Sequence, residues 1–446
     1  MEIGKKDILW NYLSTFLKIA NSAILFPIIL KELSSELVGF WTVFMSIYSF
    51  VVLMDFGFSP SFTRNVTYVF SGVQSLQKHG YEEMEEANPV VNYSLLKGLI
   101  NSMQFFYRRI AFIAFAVLLT FGTYYIHTLL KGYNGNHTEI YVSWVLLSVV
   151  TSYNLYTLYY DSLIQGKGLI KRDKQINIVG QIFNLSFSIV LILLGSGILS
   201  VVIGQLVSVI VVRYLSYRTF YTKELREELK RVEVTSFKEI FNTIKPNAIK
   251  IGLTSLGGIL VTKSALFIGS LYLSLDQIAS YGITLQLISV IMGLSTIYFA
   301  THQPQIVNYR VMQNTSGILT IYKKSLLFMV GTYIIGGIGL YFIGPFALQI
   351  IGSKTNLLPG GLIILALVAS LLEVNVGVGG TILLTKNYVP FFKASLISGF
   401  SILFLLLLFS VFEHINLTTM ILIPLFVNIC YQAWKWPYEA YIDLKN

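Results

Sequence analysis

Cysteine is nearly missing from this 446-residue chain: Cys430 is the only one, and it lies inside an apolar run. A single cysteine excludes an internal disulfide and any metal site built from several thiolates. Charge is scarce as well, with Asp, Glu, Lys and Arg making up 12% of the residues, about half of what a soluble domain carries. There is no Walker A sequence, no helical HExxH and no GxSxG, so the usual signatures of nucleotide, zinc-hydrolase and acyl-transfer chemistry are lacking. No cofactor, no metal site and no enzymatic activity are expected.

What is present is apolar sequence: 54% of residues are hydrophobic and mean hydropathy is +0.68. Length alone would suggest two or three domains, but the apolar runs recur too regularly for that. A membrane span needs about 20 apolar residues, and twelve runs qualify, at approximately 8–30, 38–62, 110–130, 141–163, 176–195, 198–218, 247–271, 279–303, 325–345, 361–384, 394–412 and 417–436. The pattern predicts an all-α polytopic membrane protein. The opening "MEIGKKDILW" has a short basic stretch, but the run after it is span-length and lacks a small-residue cleavage site. It reads as a retained first helix rather than a removed signal.

Cations are distributed unevenly. The even-numbered connections contain "TRNVTYVFSGVQSLQKHG", "GKGLIKRDKQ", "YTKELREELKRVEVTSFKEI", "NYRVMQ…IYKK" and "TKNYVPFFK", whereas Lys31, Lys131 and Lys354 are the only cations of the odd-numbered ones. Basic residues mark the cytoplasmic side, so both termini are expected there. The net charge of +10 is accounted for by this placement, and no nucleic-acid partner is implied. The outer connections are mostly short, too short for a catalytic domain.

Two inner connections are long. In 63–109, the segment "NYSLLKGLINSMQFFYRR" puts Leu95, Leu96, Leu99, Ile100 and Met103 on one helical face, predicting an interfacial amphipathic helix. The connection 219–246 reads as a charged helix at the chain midpoint. "LSSELVGFW" from Leu33 and "LSLDQIASY" from Leu273 match 240 residues apart, each between the first two spans of a half. The expected organisation is an N-terminal six-helix lobe over 1–218, a linker over 219–246 and a C-terminal six-helix lobe over 247–446, related as a parallel repeat.

A charge centred in a bilayer costs about 2.5–3.5 kcal/mol on insertion scales, so those that persist usually face a cavity or a partner. Lys18 lies near mid-depth of the first span, and Asn11, Ser14, Lys18 and Asn21 form one polar stripe with Thr15 and Ser22 alongside. Such a stripe suits a helix lining water rather than lipid. In the seventh span, Asn247, Lys250 and Thr254 form a second stripe, with Lys263 deeper and on the opposite side of an ideal helix. Arg64 closes the second span at the inner rim. Lys18, Arg64, Lys250 and Lys263, with Asn11, Ser14 and Asn21, are the substrate-binding candidates. The competing readings are an ion pair of Lys18 with Asp55 or Glu373, and ordinary positive-inside placement for Arg64 and Lys250. Asp55, Asp161 and Glu373 are the intramembrane acids, candidates for ion coupling or for structural salt bridges. Tyr153, Tyr156 and Tyr160 share a helical face, fit to stack on sugar rings or to form an interfacial aromatic belt.

At "VGFWTVFMSIYSFVVLMDFGFSPSFTRNV" the chain resembles the Wzx-type polysaccharide flippases of the multidrug/oligosaccharidyl-lipid/polysaccharide exporter superfamily, through Gly39, Trp41, Asp55, Gly57 and Arg64. The turn "SLIQGKG" is similar too, through Gln165, Gly166 and Gly168. The resemblance implies two six-helix lobes rocking around a central cationic cavity in the bacterial inner (cytoplasmic) membrane. It implies movement of an undecaprenyl-diphosphate-linked oligosaccharide between leaflets, with membrane lipid and polymerase or glycosyltransferase machinery as partners. The lipid II flippases of the superfamily usually have fourteen spans, and an expected twelve points to the polysaccharide branch. Two other readings stand beside it. A multidrug exporter would carry a cavity carboxylate, commonly in the first span, where this chain has Lys18. A membrane-embedded polymerase or ligase would need substantial outer loops.

Overall fold

In an apolar phase a helix satisfies all its backbone N–H and C=O groups internally, and every regular element among the described residues is helical. The computed structural model describes residue 10 and residues 24–76, 91–233, 236–386 and 390–445. Among these, nine helices are long and apolar enough to cross a membrane. Of the remaining three expected spans, 8–30 falls largely outside the described residues. The run 141–163 is divided between two helices, and 247–271 is the end of a longer helix whose apolar part is Ser255–Gly269. Large apolar side chains are exposed along many helices: Phe112 is 71%, Phe121 76% and Val411 76% exposed. Apolar surface on that scale, on helices of span length, suits contact with lipid.

The described residues group into two compact units. The first takes in Ile47–Ser255 and the described part of Met1–Glu32; the second takes in Leu33–Ser46 and Leu256–Asn446. In chain order the elements are α1 (24–32), α2 (Ser35–Val52), a 3-10 turn (Leu53–Asp55), α3 (Phe58–Phe70), α4 (Tyr93–Val117), a π turn (Leu118–Gly122), α5 (Thr123–Leu130), α6 (His137–Tyr156), α7 (Tyr159–Gly166), α8 (Ile170–Leu193), α9 (Leu199–Phe220), α10 (Lys223–Arg231) and α11 (Phe237–Gly269). They continue with α12 (Leu275–Ser295), α13 (Ile297–Val311), α14 (Thr315–Phe342), α15 (Gly344–Ile351), α16 (Gly360–Leu384), α17 (Phe392–Val411), α18 (Leu417–Cys430) and α19 (Gln432–Lys445).

In the first unit α8 and α9 form an antiparallel pair, α3 packs on α7, and α4 packs on α6. The expected interfacial helix is not a separate element. Asn92 caps α4 by accepting from the Leu95 N–H at 2.9 Å, and the helix then runs on as one 38-residue stretch, Tyr93–Leu130. The predicted apolar face is real, but protein rather than lipid covers it: Leu96, Leu99 and Met103 are fully buried. Three side chains of α4 also hold the segment leading into α11. Ser94 donates to the Glu233 carbonyl at 2.7 Å, Lys97 to that of Val232 at 2.8 Å, and Ser102 to that of Phe237 at 2.8 Å.

In the second unit α16 lies along α19, and α14 packs on α12 and α13. Its core is built from Ile318, Tyr322, Met329, Ile382, Trp436 and Ala440. The two segments that match 240 residues apart meet here. A Cβ on Gly39 would lie 2.4 Å from the Leu275 carbonyl oxygen, and one on Gly282 would lie 2.2 Å from Thr42. Glycine at both points lets α2 and α12 approach closely.

Candidate functional site

Some of the polar groups that sequence reasoning singled out lie among the described residues and some do not. Lys18, Asn11, Ser14 and Asn21 lie outside the described residues, as does the side chain of Lys250 in α11. Arg64 is exposed on α3.

Asp55 sits where α2 stops. Phe56 (φ 48°) and Gly57 (φ 68°) take left-handed backbone conformations, which turn the chain sharply before α3. Glycine is suited to such a φ, having no Cβ to clash. The Asp55 carboxylate accepts the Ser59 N–H at 3.1 Å, capping α3, and accepts the Tyr107 hydroxyl at 2.5 Å. Tyr107 is fully buried and Asp55 nearly so. These bonds give the carboxylate a clear role in holding the break between two helices.

Asp161, on α7, pairs with Arg213, on α9, at 2.6 Å. Arg213 also donates to Asn154 Oδ1 at 2.7 Å, and Asn154 donates to the Tyr48 hydroxyl at 3.0 Å. Arg213 is only 6% exposed. Sequence reasoning passed over it, although an arginine inside an apolar run was itself a signal.

The three tyrosines do not share one helix. The helix breaks at Thr157–Leu158, so Tyr153 and Tyr156 belong to α6 and Tyr160 to α7. Tyr160 stacks on Tyr159 at 4.4 Å and meets Tyr217 and Tyr221 edge-on. Tyr153 is exposed. Beside this cluster, in the turn that carries Gln165 and Gly166, Lys167 lies over the Phe70 and Phe220 rings at 5.6 and 5.5 Å. Burial there pushes its ammonium below the usual lysine range.

In the second unit, Lys263 of α11 and Glu373 of α16 interact electrostatically, without closing an ion pair like those that hold Asp161 and Asp443. Tyr281 and Tyr333 also feel the Glu373 charge. Glu373 therefore has a cationic neighbour within its own unit. A further network, unforeseen from sequence, joins Arg310 to Asp443 at 2.6 Å and to Thr385 at 3.0 Å, with Lys386 closing on the same carboxylate. No group of three His, Cys, Asp or Glu suited to a metal occurs among the described residues.

The described groups thus amount to charges paired with one another among apolar helices. Known structures place the fold. An inward-facing MATE-family multidrug resistance transporter of the MOP superfamily aligns with a TM-score of 0.66 at 12% identity, covering 97% of this chain and 94% of that one. The lipid II flippase MurJ, in an inward closed conformation, aligns at 0.60 with 15% identity, covering 98% and 92%. A MOP-superfamily transporter from Pyrococcus furiosus aligns at 0.51 with 13% identity, covering 99% and 93%. The chain has the fold of MOP-superfamily transporters. No family model and no curated protein matches it.

Proposed function

We propose that this protein is a flippase carrying an undecaprenyl-diphosphate-linked oligosaccharide from the cytoplasmic to the outer leaflet of the bacterial inner membrane by alternating access. The fold supports a transporter, and the observation that carries the substrate class is Lys18. In the sequence it is the cation near the middle of the apolar, polar-striped run 8–30, which has no acid after Asp7. A diphosphate entering a low-dielectric space loses hydration, and a cation lining the path offsets that loss. MurJ, named a lipid II flippase, places lipid-linked cargo within the range of this fold. The Pyrococcus furiosus transporter is described by the reverse polarity of its binding pocket, so substrate charge is better read from the residues than from the architecture.

A multidrug exporter is the second reading, favoured by the likeness to a MATE transporter. The lysine in place of an acid in the first span weighs against it. Complementation of a flippase-null strain decides between them. Restored surface polysaccharide, with loss of the accumulated lipid-linked sugar, supports the flippase; drug resistance without such rescue supports the exporter. Lys18→Ala is expected to abolish rescue while membrane insertion, read by immunoblot of the membrane fraction, stays normal. Full rescue by that variant removes Lys18 from the site.

A further inference from the structure

Arg108 and Arg109 directly precede the apolar run from Ile110 to Leu130, where cations are expected at the edge of the hydrocarbon layer. They line a cleft of about 1080 Å³ between α4 and the start of α11, with Asn101, Gln104, Tyr156 and Phe237. Both are exposed, and neither has an ion-pair partner among the described residues. Arg109 is nonetheless held in place: its guanidinium carbon lies 3.8 Å from the centre of the Phe105 ring, which packs on Phe237 at 5.2 Å. A stacked guanidinium keeps its planar donor fork free and gives up little entropy when an oxyanion docks. The wall opposite is fixed as well, because Ser94, Lys97 and Ser102 tie Glu233, Val232 and Phe237 to α4.

Past the arginines the same wall continues through Phe112 and Ile113, 71% and 50% exposed. Fixed cationic donors followed by a strip of apolar surface match a phosphate headgroup followed by an acyl chain. A soluble phosphate would leave that apolar strip unused. We propose that this cleft binds the headgroup of an anionic phospholipid from the leaflet on the Arg108–Arg109 side. Every lining residue belongs to one compact unit. The cleft is therefore complete without the other unit, which suits a resident lipid rather than a transported one. Such a lipid site is independent of the flippase reading.

The test is native mass spectrometry of the full-length protein, equilibrated with phosphatidylglycerol or phosphatidylcholine. Phosphatidylglycerol is expected to be retained in preference. R108A/R109A is expected to weaken its retention roughly 30-fold, the conversion of about 1 kcal/mol for each basic residue. R108K/R109K should lose less, and K323A/K324A, which removes an exposed basic pair in the other unit, should change nothing. Equal retention of the two lipids, or an equal loss in the lysine control, overturns the proposal. Undecaprenyl diphosphate that displaces phosphatidylglycerol from the arginine pair, and is itself lost in R108A/R109A, also overturns it by making the cleft a substrate site. Should R108A/R109A fail to fold, F105L keeps both charges and removes the platform under Arg109. Unchanged phosphatidylglycerol retention in a folded F105L protein then counts against the site.

Discussion

At the scale of single residues, the buried charges are held by partners far along the chain. Arg213 and Asp161 are 52 residues apart, as are Tyr107 and Asp55. Removing one member of a buried pair leaves the other uncompensated, at a cost of about 3–5 kcal/mol, whereas replacing both with apolar residues is often neutral. Asp161→Leu is therefore expected to lower thermal stability sharply, and Asp161→Leu/Arg213→Met to recover most of the loss. A double variant no more stable than the single one would show that Arg213 is not limited by its pairing. Tyr107→Phe removes one donor to Asp55 and is expected to cost about 1–3 kcal/mol, read as a lower melting temperature in detergent. The charges themselves were legible in the sequence because a bilayer makes them conspicuous. Their partners were not, since spacing within one helix says nothing of which side chain on another helix reaches it. Glu373 shows the limit well. Sequence marked it as costly, but only the fold brings it within electrostatic reach of Lys263.

At the scale of helices, apolar periodicity foretold faces better than it foretold ends. The stripe from Leu95 to Met103 is buried as one face, yet nothing between Met103 and Ala114 interrupts the backbone, so the anticipated surface helix is the first part of a longer one. The reverse holds at Thr157–Leu158. A helix ends there with neither proline nor glycine to announce it, and Tyr156 and Tyr160 belong to different helices. Where helices approach closely, glycine does leave a mark. A Cβ on Gly39 would meet the backbone oxygen of Leu275 at 2.4 Å, and a main-chain atom cannot swing aside as a side chain does. Gly39→Ala is expected to push α2 from α12 and cost about 1–3 kcal/mol. At Gly258, in α11, a Cβ would meet nothing within 4 Å, so Gly258→Ala should be neutral or stabilise by up to about 1 kcal/mol. Thermal unfolding of both purified variants checks the pair. Equal losses would mean that close approach is not what Gly39 provides.

For the molecule as a whole, the proposed flippase function raises the question of what would drive a charged lipid across. An inside-negative potential is worth about 2.3 kcal/mol per elementary charge for each 100 mV. A diphosphate with about two charges would gain on the order of 4–5 kcal/mol at 100 mV if it crossed the whole field uncompensated. A positive side chain that travelled with it would cancel part of that gain. A fixed cation lining the path, as proposed for Lys18, would lower the barrier and leave the driving force intact. Protons moving inward through a carboxylate would add to it, with Glu373 or Asp55 as the candidate acids. Lys263 interacts with Glu373 electrostatically, so the protonation of one group alters the energy of the other. In proteoliposomes, flipping is expected to accelerate when the side of departure is made negative and to slow when the potential is reversed. Glu373→Gln should erase the response to a pH gradient while sparing the response to potential. A rate indifferent to both gradients, with Glu373→Gln silent, would rule out coupling and leave the cationic path as the only electrostatic aid to export.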